Sequence, residues 1–154
     1  MTLLEKLTSL GETLPVPPAP GGNYVPWRRV GLLLYLAGTI SVNEGVVITG
    51  KAGFDRTIEE GYHAAKLCAL NHLATIQEAL GSLDAVKQIV TLNGYVNAAP
   101  DFVDPPLCIN GASDLLVALY GEAGRHARAA IGVASLPKNA LVEVQMTVEI
   151  LPGF

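Results

Sequence analysis

An arginine and a glutamate lie on two strand-like segments near the C-terminal end of the sequence, and small residues accompany the arginine. In the first segment, strict alternation places Arg128, Ala130 and Gly132 on one face. In the second segment, Glu143 belongs to the polar face of a strand whose other face is apolar. A guanidinium offers a planar fork of donors to a carboxylate, and a glutamate can handle a water or a proton. The pattern therefore predicts one small pocket, shared by Arg128 and Glu143, that binds a small carboxylate.

The same residues also fit a purely structural role. Arginine and glutamate on neighbouring strands commonly form a surface or interface ion pair, and small residues often only admit another backbone closely. The strand pattern alone leaves both interpretations open.

Four ordered motifs carry a family resemblance. They are Asn-Tyr at 23–24, LYLAGTISVN at 34–43, NGASD at 110–114, and RAAIGVASLP at 128–137 with Glu143 shortly after it. Together they resemble the YjgF/Rid family, the reactive intermediate deaminases, over about residues 20–150. The longer form of the motifs is similar to the branch described as YjgF/chorismate mutase-like endoribonucleases.

The resemblance implies a reaction and a set of residues. Members of this family hydrolyse 2-imino or enamine acids to 2-oxo acids and ammonia in clefts between the subunits of a homotrimer. Arg128 is then expected to bind the substrate carboxylate and Glu143 to place the attacking water. Substrate contacts are implied for Tyr24, Gly38, Asn110 and Ala130, contributed by more than one subunit.

Several of these positions have simpler explanations. Tyr24 also fits an exposed aromatic in a proline-rich loop, and Gly38 fits a bend into a hairpin. Asn110 is well placed as a helix N-cap, which we take as the better explanation. His126, two residues before Arg128, is expected at the rim rather than as a general base.

The sequence also departs from the family pattern at three positions. Ala130 stands where many of these deaminases have cysteine, Ala37 where serine is common, and Gln145 where glutamate is frequent. Hydrogen bonding to substrate or water is therefore expected to differ. Imine hydrolysis follows less directly from these residues than carboxylate binding does.

Composition indicates a single compact domain over residues 1–154. Half of the 154 residues are hydrophobic, mean hydropathy is +0.38, and the formal net charge is −4. No apolar run reaches the ~18 residues of a membrane span, so we assign the apolar surplus to a subunit interface. The acidic charge argues against nucleic acid as the main partner. Two isolated cysteines and the lack of a signal-like start favour the cytoplasm.

The order of elements predicts an α+β fold with a chorismate-mutase-like, mixed sheet and two main helices on one face. A short helix over 2–10 and a proline-rich loop form residues 1–20. Strands are expected over 24–30, 32–38, 86–97 and near both C-terminal segments, and a hairpin over 40–48. A capping box at Thr57 begins the main helix, and a second helix begins at Asn110.

Three functions are compatible with these observations. The leading one is a deaminase acting on imines and enamines. The second is a trimeric, non-catalytic protein that binds or senses small carboxylates. Ribonuclease activity ranks last, because no aromatic and basic platform and no histidine pair is evident. The histidines at 63, 72 and 126 give no metal triad, so we expect neither a metal nor a cofactor.

Overall fold

The computed structural model describes all 154 residues and confirms the predicted mixed α+β fold. It contains three α-helices and eight strands. The helices are α1 (Leu3–Ser9), α2 (Ile58–Leu80) and α3 (Pro105–Tyr120). The strands are β1 (Trp27–Val30), β2 (Leu33–Leu36), β3 (Thr39–Ile40), β4 (Val42–Asn43), β5 (Val46–Val47), β6 (Val86–Asn97), β7 (Ala127–Val133) and β8 (Val142–Ile150).

The main sheet has the strand order β1-β2-β8-β6-β7, and β3 pairs with β8 beyond the end of β2. The pair β6–β7 is parallel, whereas the other pairs of this sheet are antiparallel. Strands β4 and β5 form a separate hairpin. Because β6 lies between β7 and β8, the two C-terminal strands are not neighbours in the sheet.

Helices α2 and α3 cover one face of this sheet, which we call the helix face. Alternate residues of β8, from Val142 to Ile150, are fully buried against them. The two helices approach closely at glycines: a Cβ on Gly111 would lie 1.9 Å from the carbonyl oxygen of Tyr62. Most residues of the opposite, open face remain partly or largely exposed, including Tyr35 and Ile131.

Local sequence explains the ends of the main helix. The Thr57 hydroxyl accepts a hydrogen bond from the backbone N–H of Glu60, whose carboxylate accepts one from the N–H of Thr57. This capping box satisfies two N–H groups that a helix start otherwise leaves unpaired. Gly81 ends the helix at φ +79°, a conformation that favours glycine. The sequence prediction for this helix is confirmed.

The prediction for the second helix was wrong at its start. Helix α3 begins at Pro105, five residues before Asn110, and Asp104 precedes it without a side-chain cap. Proline is tolerated in a first helical turn because its missing N–H would have no partner there. None of the three helices combines the length and the apolar composition needed to cross a bilayer.

Candidate functional site

The Arg128 side chain lies on the helix face at the edge of the sheet. On β7 it pairs in register with Leu92 of β6, which is fully buried against the helices. Residues in register share a face. Its Nη1 donates hydrogen bonds to Oδ1 of Asn110 at 2.8 Å and to Oγ of Ser113 at 3.1 Å. One edge of the guanidinium is thus fixed to α3, and no carboxylate of the chain forms an ion pair with it.

A second row of hydrogen bonds holds Ser113 in turn. The Ser113 Oγ lies 2.9 Å from Nε2 of His126, and Nδ1 of His126 lies 2.7 Å from the carbonyl oxygen of Gly124. Because a carbonyl only accepts, Nδ1 carries the proton, and neutral Nε2 accepts from the serine hydroxyl. Burial, offset by the Gly124 carbonyl and reinforced by the charge of Arg128, lowers the pKa of His126. We call Asn110, Ser113, His126 and Arg128 the arginine half-site.

Glu143 lies on the other face of the sheet. It pairs with Tyr95 of β6, three residues after Leu92, in a stretch of β6 without a bulge. Three residues along a strand reverse the face. Within one chain, Arg128 and Glu143 therefore do not share a pocket, contrary to the sequence prediction, and they form no ion pair with each other.

The Glu143 carboxylate lies against the backbone between β2 and β3. A Cβ on Gly38 would lie 2.9 Å from its Oε2, so only glycine leaves the carboxylate its present position. The chain leaves β8 after Tyr35 and rejoins it at Thr39. Burial raises the pKa of Glu143, and its side chain has no hydrogen-bond partner in the chain. This carboxyl is therefore poised to act on a bound water or ligand.

A cavity of about 580 Å³ opens beside Glu143. The proline-rich loop over 16–21 and Tyr24 form one wall, and the middle of α2 forms another. Tyr24 is half exposed, and its hydroxyl accepts a hydrogen bond from the N–H of Gly21 at 3.0 Å. We call this cavity the glutamate pocket, and the polar residues that line it are Tyr24, Thr39, Glu44, Asn71, His72, Thr75, Lys138 and Glu143.

The structure thus groups the six predicted site residues into two sets. Tyr24, Gly38 and Glu143 lie together in the glutamate pocket. Arg128 and Asn110 lie together on α3 and β7, and the Ala130 side chain packs against the core on the same face. The predicted N-cap role of Asn110 was wrong, since this residue lies in the second turn of α3.

Sequence reasoning missed two polar residues. Ser113 follows Asn110 by three positions, a spacing that puts both on one side of a helix, and this spacing is the signal that could have found it. His72 is buried within the apolar pattern of α2, which gave no sign that it borders a pocket. No three His, Cys, Asp or Glu side chains gather where they could hold a metal ion.

The mixed sheet with two helices on one face is shared with solved structures of Rid proteins and is the fold of the YjgF-like class. The model described as "YjgF/chorismate mutase-like, putative endoribonuclease" matches residues 5–150. The chain belongs to this family.

Relatives from several organisms agree with the assignment. Protein TCP17 of Trypanosoma cruzi is 45% identical over 146 residues, which are 94% of this chain and 91% of that protein. The solved structure of Atu1372 from Agrobacterium tumefaciens, a protein of unknown function, is 45% identical with a TM-score of 0.90, covering 97% of this chain and 92% of that one. RidA from an Antarctic Psychrobacter is 26% identical with a TM-score of 0.62, covering 88% and 94%.

Proposed function

We propose that this protein hydrolyses 2-imino acids, and their enamine tautomers, to 2-oxo acids and ammonia. Its family membership and the structural similarity to a RidA protein support this proposal. The observation that carries it is Arg128: two neutral oxygens hold one guanidinium nitrogen, and no carboxylate neutralises the charge. An arginine fixed in this way matches the carboxylate of an imino acid in a bidentate geometry.

The reaction needs few groups. Water adds to the electrophilic C2 of the imine, giving a tetrahedral carbinolamine, and a proton moves to nitrogen as the C–N bond breaks. Ammonia leaves, and the remaining hydroxyl loses its proton to give the 2-oxo acid. Glu143 would take the proton of the attacking water and return one to the leaving nitrogen. Its raised pKa brings it nearer to the pH at which both roles are possible.

We also propose that the complete site forms between subunits of a homotrimer. The open face of the sheet exposes large apolar side chains, including Val30 at 63% and Ile131 at 50% exposure, which a second subunit would cover. Since one chain holds Arg128 and Glu143 on opposite faces, Arg128 of one subunit would complete the glutamate pocket of its neighbour. The small-molecule partner is then a 2-imino or 2-oxo acid.

A trapping assay tests the activity. An amino-acid oxidase produces the imine, semicarbazide traps it, and active protein lowers the semicarbazone yield by hydrolysing the imine first. Unchanged semicarbazone together with binding of 2-oxo acids would support the alternative, a non-catalytic carboxylate-binding protein. The replacement of the family's usual cysteine by Ala130 is the observation that favours this alternative.

Complementation tests the shared site. The variants Arg128→Ala and Glu143→Gln should each be inactive alone. Refolded together in equal amounts, they should recover about a quarter of the wild-type activity, because half of the arginines and half of the glutamates are intact and each site draws one from each of two subunits. Light scattering should give a trimer. No recovery, in hybrids shown to mix, would contradict a site built from two subunits.

Ribonuclease activity is not proposed. His72 is buried and His126 is bound to a backbone carbonyl and a serine, so the chain offers no free histidine pair for acid–base cleavage of RNA.

A further inference from the structure

The inner wall of the glutamate pocket, formed by α2, contains polar atoms that the proposed hydrolysis does not use. His72 and Asn71 are 2% and 1% exposed, yet both border the pocket. Their neighbour Thr75 also borders it, one turn further along the helix. Polar residues this deeply buried normally have all of their hydrogen bonds satisfied within the protein.

His72 has one ring nitrogen bound and one free. Its Nε2 lies 2.6 Å from the carbonyl oxygen of Val144, so Nε2 carries the proton. Burial outweighs the effect of that carbonyl and lowers the pKa of His72 to about 4, which keeps the ring neutral at physiological pH. Nδ1 is then a hydrogen-bond acceptor, and it has no partner in the chain.

Asn71 repeats this pattern. Its Nδ2 donates to the carbonyl oxygen of Val42 at 2.8 Å, whereas its Oδ1 has no partner. Every side-chain nitrogen or oxygen of this protein that solvent cannot reach has a hydrogen-bond partner. An atom without a partner must therefore be accessible. The Nδ1 of His72 and the Oδ1 of Asn71 are thus not sealed off, and we place both atoms at the glutamate pocket, which both residues line.

The charge and the size of the pocket limit the kind of ligand group that would bind at this wall. The pocket presents two neutral acceptors here, and the carboxylates of Glu44 and Glu143 border the same space, against the single cation of Lys138. Its volume of about 580 Å³ falls within the usual range for small-molecule sites, about 300–1,000 Å³, and exceeds what a three-carbon imino acid fills. The acceptors call for a ligand group that donates hydrogen bonds.

We infer that this wall is a side-chain subsite, in which His72 and Asn71 select substrates whose side chains end in N–H donors, such as an amide or a guanidinium. The inference rests on the proposed function, since it assumes that the substrate's C2 lies at Glu143. With the carboxylate at Arg128 of a neighbouring subunit, the side chain would extend away from the interface toward α2. An apolar side chain would leave both acceptors without partners, which costs more than the lost contact alone.

Near-isosteric substrates test the subsite. Imines are generated in place from asparagine and from leucine, with arginine as the cationic case, and kcat/KM is measured for each. We expect the asparagine-derived imine to be favoured over the leucine-derived one by about tenfold or more. Faster turnover of the arginine-derived imine than of the asparagine-derived one would identify a charged side chain as the preferred donor. Equal kcat/KM for asparagine and leucine would overturn the subsite while leaving the deaminase proposal intact.

A pair of matched variants assigns the preference to His72. His72→Phe should reduce the asparagine-to-leucine ratio of kcat/KM to about one, because it removes the acceptor that the amide side chain would bind. His63→Phe makes the same substitution at an exposed position of the same helix and should leave the ratio unchanged. A ratio that survives in folded His72→Phe would contradict the role of this histidine.

Calorimetry decides the subsite even without turnover. The probes are 2-oxosuccinamate and 4-methyl-2-oxopentanoate, the 2-oxo acids of asparagine and leucine, bound to the wild-type protein. We expect the amide to bind about tenfold tighter. If the protein hydrolyses no imine but keeps this preference, the deaminase proposal fails and the subsite stands. Equal affinities for the two 2-oxo acids would contradict the subsite alone.

Discussion

The two halves of the candidate site are held in opposite ways. The arginine half-site lies on an exposed sheet edge, and its geometry comes from side chains: Arg128 is fixed by Asn110 and Ser113, and His126 fixes Ser113. The glutamate pocket lies in a concave part of the chain, and its geometry comes from the backbone, because Glu143 rests against the bare Cα of Gly38.

This difference indicates a division of labour. A charged side chain that hydrogen bonds already hold in place needs little reorganisation when a carboxylate binds to it. A half-buried carboxyl without partners has a raised pKa and can exchange protons with bound water. Binding strength should therefore depend mainly on the arginine half-site, and the rate of the chemical step mainly on the glutamate pocket. Substitutions in each half test this separation.

The largest effect is expected from Arg128→Ala. Loss of a charged, bidentate anchor costs about 2–5 kcal/mol, which corresponds to a reduction in kcat/KM of about thirtyfold to several thousandfold. Calorimetry with a 2-oxo acid should show a parallel loss of affinity. Arg125→Ala is the matched control, because Arg125 lies three residues away and pairs only with exposed Glu122. Equal losses in both variants would mean that general charge, not this anchor, attracts the substrate.

A smaller effect, and one on a different kinetic constant, is expected from Gly38→Ala. The added Cβ would lie 2.9 Å from Oε2 of Glu143 and must displace the carboxylate. Gly38 has no positive φ, so backbone strain is not involved. We expect kcat to fall by about tenfold or more while the affinity for 2-oxo acids changes little. In Gly132→Ala, where the nearest atom is 3.4 Å away, kcat should be nearly unchanged.

A fall in 2-oxo acid affinity that matches the fall in kcat of Gly38→Ala would contradict the separation of the two halves. It would place Glu143 in ligand binding rather than in the chemical step.

The fold of both halves was largely readable from the sequence. The capping box, the apolar spacing and the terminal glycine defined α2, and alternation defined β6 and β8. The start of α3 was misjudged because Pro105 and Pro106 suggest a loop, whereas a first helical turn accepts both. That error gave Asn110 the role of an N-cap, whereas in the structure Asn110 lies in the second turn of α3 and its side chain, with that of Ser113, contacts Arg128.

The position of the two halves relative to each other could not be predicted from the sequence. Alternation along β7 and along β8 was assigned correctly within each strand, but the two strands follow each other in the chain without being paired. Strand β6 lies between them and sets their relative phase through its register with both. A sequence pattern specifies which residues of a strand share a face, and it does not specify which face of the sheet that is. The pairing of Arg128 with Glu143 was therefore misplaced within one chain.

The smallest expected effect concerns the stability of the protein rather than its activity. Because burial raises the pKa of Glu143, the folded protein binds this proton more tightly than the unfolded chain does. The free energy of unfolding therefore falls as the pH rises from about 4.5, the usual pKa of a glutamate, through the raised pKa of folded Glu143. Glu143→Gln removes that loss, so the variant should melt slightly above wild type at pH 7.

The gain in melting temperature of Glu143→Gln should shrink toward pH 4, where the wild-type carboxyl is mostly protonated in both states. Thermal unfolding across pH 4–8 measures this. Glu122→Gln serves as the control, since the Glu122 side chain is exposed and its carboxylate forms an ion pair only with Arg125. A Glu143→Gln melting temperature at or below wild type across the whole range would show that the carboxylate is stabilised by its surroundings. The glutamate pocket would then be a binding surface, and the proton transfers of the proposed reaction would need another group.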